Sequence, residues 1–171
     1  MRALTQRRDA LDRQIDQLAP QSPWAATIAR LRCFRGIDTI TAYGLCSEIG
    51  EFSRFAHPRS LSAFVGIVPS EHTSGEQTRR GPITKAGSAH ARRLLVEAAH
   101  HYRYQPAVGA RVARRQDGQD PRACEIAWRA QQRLHHQYQH LRVKRGKPAN
   151  IVTIALAREL CNFVWETGQL S

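Results

Sequence analysis

From Ala149 to Trp165 the chain is apolar on nearly every side, with Ile151, Ile154, Ala155, Leu156, Leu160, Phe163 and Val164 spread around the helical circumference. A helix without a polar face cannot rest on a surface, so other elements must enclose it. That requirement selects a bundle built around a central C-terminal helix, and the remaining segments must supply its walls.

The walls are also helical in pattern. Trp24, Ile28, Leu31 and Phe34 mark one helix. Asp120 is a good N-cap, with Pro121 at the first helical position. Cys124, Ala127, Trp128, Leu134, Tyr138 and Leu141 follow at helical spacing, and Arg122, Arg129, Arg133 and His136 fall mostly on other faces. At the N-terminus Leu4, Leu11, Ile15 and Leu18 form a narrow stripe at spacings of seven and four, a coiled-coil-like seam that needs a partner. Pro20 and Pro23 close it. The expected architecture is therefore all-α: a coiled-coil-like arm over residues 1–20 that makes a homo-oligomer, and a helical domain over 24–168. Only residues 66–83, GIVPSEHTSGEQTRRGPI, lack helical period, and they predict a long loop or short irregular hairpin. Loops of that length in compact domains are usually functional.

Charge narrows the partners. Across 171 residues there are 26 Lys and Arg against 14 Asp and Glu, a net charge of +12. Polyanions are the expected partner class. The excess is concentrated in residues 106–147, net +7, with smaller blocks of +4 over 1–35 and +3 over 67–105. No run approaches the ~20 apolar residues of a membrane span, and the charged N-terminus lacks a signal peptide's apolar stretch. A cytoplasmic, nucleoid-associated protein is expected. Cys33, Cys46, Cys124 and Cys161 form no CxxC pair, which predicts free thiols rather than a zinc site or a disulfide framework. Acids are too few and scattered for a two-metal nuclease centre, so no metal site is expected in this chain.

Several segments are candidates for chemistry. Residues 31–55 read as helix, tight turn and helix, with Asp38 or Thr39 as N-cap. Such a helix-hairpin-helix would offer the Arg35-Gly36 turn to a phosphate; an ordinary helical hairpin gives the same pattern. His72-Thr73-Ser74-Gly75 precedes Arg79, Arg80 and Lys85, with Arg92 and Arg93 beyond. A loop serine can attack a phosphate when cations neutralise it and a base accepts the proton, although Thr-Ser-Gly is also a common turn. Arg93 with His100, and Arg129 with His135, have the spacing of metal-independent helical ribonucleases, but 23 Arg and eight His generate such spacings by chance. His136 and His140 share a face without a further ligand motif.

Taken in order, residues 31–55, Leu61-Ser62-Ala63-Phe64-Val65-Gly66-Ile67-Val68-Pro69, Thr73-Ser74-Gly75, Arg79-Arg80-Gly81, Ile83-Thr84-Lys85-Ala86-Gly87 and Ala91-Arg92-Arg93-Leu94-Leu95 resemble one domain. It is the C-terminal domain of the insertion-sequence transposases related to Piv-type site-specific DNA invertases. Arg145-Gly146-Lys147, Ala155 to Leu160 and Trp165 resemble its closing helix. The resemblance implies a mostly helical domain that works with an acidic RNase-H-like, magnesium-binding N-terminal domain and acts on DNA. In some members a structured guide RNA takes part. It implies Ser74 as the nucleophile of a phosphoserine intermediate. Arg79, Arg80, Lys85, Arg92 and Arg93 would contact nucleic acid, as would Arg35, Gly36, Arg145 and Lys147. Asp38 and Ser88 depart from the pattern, which usually has Gly and Asn or Asp there. The acid-bearing domain does not precede Met1, so a truncated or split enzyme is expected, with no cofactor of its own. A non-catalytic nucleic-acid-binding module and a helical ribonuclease are the alternatives.

Overall fold

A computed structural model of the chain describes residues 2–74 and 77–171, with the backbone alone described at residues 2, 71–74 and 77–80. The helices are α1 (Arg2–Leu18), α2 (Ala25–Leu31), α3 (Thr39–Ile49), α4 (Pro58–Val65), α5 (Ala89–Ala99), α6 (Ala110–Gln116), α7 (Pro121–Tyr138) and α8 (Ala149–Gly168). Short 3-10 turns occupy Ala19–Gln21, Phe52–Arg54 and His100–Arg103, and a π-helical turn, Gln139–Lys144, extends α7.

Helix α8 is the axis. Val152, Leu156, Ala157, Leu160, Cys161 and Val164 are buried along it, against α2, α4, α5 and α7. Burying each large aliphatic side chain contributes about 1.5–3 kcal/mol, which explains why so largely apolar a helix is packed against by four others. Its C-terminal end is fixed by polar contacts: Trp165 Nε1 donates to the Phe55 carbonyl at 2.8 Å and Gln169 Nε2 to the Phe52 carbonyl at 2.8 Å. At the N-terminal end Ile151 is 55% exposed, so the sheath stops short of the first turn.

Helix starts follow the capping residues. The Asp38 carboxylate accepts from the Thr41 N–H, Ser88 Oγ from Ala91, and Asp120 from Arg122. Two expectations need correction or completion. Trp128, counted with the apolar face of α7, is 37% exposed; Ala127 and Ala130, buried beside it, carry the packing instead. The 66–83 stretch is an antiparallel hairpin, β1 (Pro69–Ser74) and β2 (Gln77–Ile83), the second of the two forms expected. Its register runs from Pro69 opposite Ile83 to Ser74 opposite Gln77, with an irregularity between Pro69 and Glu71. The arm exposes its seam as the stripe predicts: Leu4, Leu11 and Leu18 are 75%, 51% and 55% exposed.

Candidate nucleic-acid interface

The hairpin stands on a crossing of two turns. Helix α4 ends at Gly66 in the left-handed region, and Gly87 before α5 also has positive φ. A Cβ on Gly66 would overlap the Ala86 carbonyl oxygen, and one on Gly87 would overlap that of Phe64. The backbones are joined there by Lys85 N–H to Gly66 O (3.1 Å), Ser88 N–H to Phe64 O (3.3 Å) and Thr84 N–H to Val68 O (2.9 Å). Two residues without side chains let two chain segments touch directly, so the foot of the hairpin is rigid.

Around this foot the cations divide. Lys85 is exposed and holds a left-handed backbone, φ +55°, unusual for a residue with a side chain. Arg92 Nη1 donates to the Val65 carbonyl at 2.8 Å, capping α4 from α5. Arg93 is exposed and lies 3.8 Å from Glu97 one turn on. Ser74 is the last described residue of β1, on a backbone paired with Gln77; its side chain and those of Arg79 and Arg80 lie outside the described residues, as do those of His72 and Thr73.

Beside the foot lies a hydrogen-bonded set. Ser88 Oγ donates to Glu48 Oε2 at 2.7 Å, and His90 Nδ1 lies 3.1 Å from Glu48 Oε1. The bonds from Ser88 and His90 hold the Glu48 carboxyl below its ordinary pKa. Ser88 thus caps α5 and ties it to α3, which Asn or Asp would do differently. No three His, Cys, Asp or Glu side chains group to hold a metal ion among the described residues.

The Arg35-Gly36 turn has a different surrounding from that of a phosphate-binding turn. Arg35 Nη1 donates to the carbonyls of Tyr104 (3.3 Å) and Gln105 (2.9 Å), and Nη2 to that of Ala107 (2.9 Å). Gly36, φ +83°, lies against α5: a Cβ would come within 2.7 Å of the Ala98 carbonyl and 2.8 Å of His101 Cδ2. From the other side Arg115 donates to Ile37 O (2.7 Å) and Phe34 O (3.2 Å), and Gln116 Nε2 to Cys33 O (3.0 Å). Burial pulls the Arg115 pKa down, with Arg32 and Arg111 adding to the effect. Arg115 and Gln116 were not among the residues singled out from the sequence, and no spacing marks them. Both arise because a non-helical turn leaves carbonyls that something must satisfy.

The +7 block also divides. On α7, Arg129 pairs with Glu166 (2.5 Å), Arg133 with Glu159 (2.6 Å) and Arg122 with Asp120 (3.0 Å). His135 is turned to the Tyr102 carbonyl and Gln139, so it and Arg129 have separate partners. The turn beyond is different. Lys144, Arg145 and Lys147 are exposed, and none has an ion pair among the described residues. The turn is ordered by backbone bonds from Arg145 N–H to His140 O and Lys147 N–H to Leu141 O, and by Arg142 Nη1 on the Lys147 carbonyl. It leads into the first turn of α8. Asn150 and Ile151 of that turn, with Arg158 two turns on, line a cleft of about 480 Å³ together with Pro69, Pro82 and Ile83.

Residues 28–113, from α2 into α6, match the profile described as "Transposase IS116/IS110/IS902 family". The chain belongs to that family. It is 43% identical over 151 residues to "Putative transposase y4qE" of Sinorhizobium fredii, covering 88% of this chain and 38% of the relative. It is 32% identical over 144 residues to "Transposase for insertion sequence element IS1533" of Leptospira borgpetersenii, covering 81% and 40%. A third relative, "Probable family 20 transposase" of Pseudomonas aeruginosa, is 31% identical over 140 residues, covering 82% and 35%. The chain thus spans about two fifths of the length of these transposases. The family match contains the Gly66–Gly87 crossing, the whole hairpin and the Arg35-Gly36 turn. No helix among the described residues is long and apolar enough to cross a membrane.

Proposed function

We propose that this chain is the DNA-engaging helical part of a transposase in which Ser74 attacks a DNA phosphodiester. The observation that carries the reading is the hairpin: within a family of transposases, the one sheet among the described residues has Ser74 at the last described pair of β1. In the step envisaged, Ser74 Oγ forms a bond to phosphorus while the bond to one deoxyribose oxygen breaks. The serine proton passes to a base and the leaving oxygen takes one up, giving a phosphoserine linkage and a freed hydroxyl. Arg79, Arg80 and Lys85 would neutralise the phosphate. Lys144, Arg145 and Lys147, unpaired on their turn, would grip the backbone further along.

Two assembly features belong to the same reading. The exposed Leu4, Leu11 and Leu18 stripe would join two copies through α1. Magnesium, and a guide RNA where one is used, would be held with an acid-bearing domain of the longer protein. Nicking of supercoiled DNA by the chain and by Ser74→Ala, resolved on denaturing gels, tests the proposal. A covalent protein–DNA adduct in the first and none in the second, with equal binding, is the expected result. Equal binding without an adduct in either makes the chain a binding module only.

A further inference from the structure

Segment 100–114 is basic and aromatic, and its irregular part, between the 3-10 turn and α6, is held from two sides. Tyr102 is fully buried, whereas Tyr104 two residues on is 56% exposed. The Arg103 guanidinium lies 4.7 Å from the centroid of the Tyr104 ring, and its Nη2 donates to the Tyr104 hydroxyl at 2.6 Å. The backbone is pinned on both sides: Arg35 holds the carbonyls of Tyr104, Gln105 and Ala107, and Gln131 Oε1 accepts from the Ala107 N–H at 3.2 Å. His100, His101, Arg111 and Arg114 are exposed on the same segment, and Arg103, Arg111 and Arg114 have no ion pair among the described residues. The cations are near enough to oppose one another: burial first, then Arg35, Arg103, His100 and Arg115, disfavour the charged form of His101.

Such an arrangement has a recognisable use. A ring more than half exposed, touched by Arg103 alone among the ring contacts of the described residues, adds little to packing, and a fixed backbone presents it with little ordering cost at binding. Aromatic rings beside a basic track are the means by which proteins hold unpaired bases, because a duplex hides its base faces in the stack. We propose that residues 100–114 form a stacking site for unpaired DNA: Tyr104 takes a base on its exposed ring, and Arg103, Arg111 and Arg114 take the neighbouring phosphates. Arg35 is then a positioning residue, acting through the carbonyls it holds. The proposal rests on the DNA-engaging reading above and adds the strand state of the DNA and the residues that sense it.

The test is fluorescence anisotropy with labelled oligo-dT, a duplex of equal length and oligo-U. Tyr104→Ala and Tyr104→Leu, the latter keeping bulk without a ring, are expected to weaken oligo-dT binding about tenfold. Duplex affinity should be unchanged, and Tyr104→Trp should retain oligo-dT binding. Unaltered oligo-dT affinity in both ring-less variants, or an equal loss on the duplex, overturns the stacking site while leaving the DNA-engaging reading intact. Tighter, ring-dependent binding of oligo-U than of oligo-dT overturns the assignment to DNA. Absence of binding to every probe removes the underlying reading and the site with it.

Discussion

Gly66 and Gly87 are positions at which every other residue is excluded twice, by positive φ and by a backbone oxygen where Cβ would lie. Gly87→Ala is therefore expected to destabilise the chain by about 3 kcal/mol, from strain together with displaced backbone, as chemical denaturation would measure. Glu48 gives a pH signature. Its folded pKa is depressed by the Ser88 and His90 bonds, so its contribution is present above the unfolded value and lost as pH falls through the folded one. Glu48→Gln should lower the melting temperature at neutral pH, and the gap to the parent should narrow as pH falls below the ordinary glutamate value. The thiols are a third case. Burial pushes Cys46 and Cys161 up to about 12, and burial with neighbouring Cys124 does so for Cys33. Native-state alkylation followed by mass spectrometry should modify Cys124, the partly exposed one, first. At this scale the sequence was legible where a residue's own chemistry decides its place, as at Asp38 and Asp120. It was not legible at Arg35, because an arginine before a turn glycine looks the same whether it awaits a phosphate or holds three carbonyls of a segment seventy residues away.

The helices were readable because each repeats its signal over several turns. Helix α8 followed directly from its lack of a polar face. Trp128 was misassigned because periodicity marks a side of the helix, not the edge where the neighbouring helix ends. Helix α6 shows what short elements hide: seven residues with a single buried aliphatic, Val112, give no stripe to detect. Its role is to bring Arg115 and Gln116 onto the carbonyls of the α2–α3 turn. Arg115→Ala should leave the Ile37 carbonyl unpaired, with only the Ile37 N–H left on the Phe34 carbonyl, and cost about 2 kcal/mol, with earlier proteolysis within 104–120 as a second readout. The hairpin was ambiguous because residues 66–83 carry neither helical nor clean alternating period. Its form rests on the pinned foot, which pairs residues from both ends of the stretch.

Over the whole molecule the +12 charge is two populations. On α7, Arg129 and Arg133 are answered by acids of α8 and so join the two helices, while Arg122 answers Asp120, the cap of its own helix. Lys144, Arg145 and Lys147 have no ion pair among the described residues. Replacing these three with Gln should weaken duplex DNA binding and reduce the slope of log affinity against log salt by up to about 2.7. Arg129→Gln with Arg133→Gln should act mainly on stability, a distinction that total charge cannot make. The location of the basic blocks was visible in the sequence, but their pairing was not, since Glu159 and Glu166 belong to a segment with net charge −1. The crossing beneath the hairpin has a consequence for how such a chain can diversify. Because the strands leave the bundle through a fixed socket, residues beyond that socket can be added, removed or exchanged in register pairs without transmitting a change to the helices. The projection behaves as an interchangeable tool bit: its length sets reach, while the glycine chuck that holds it leaves no room for a side chain.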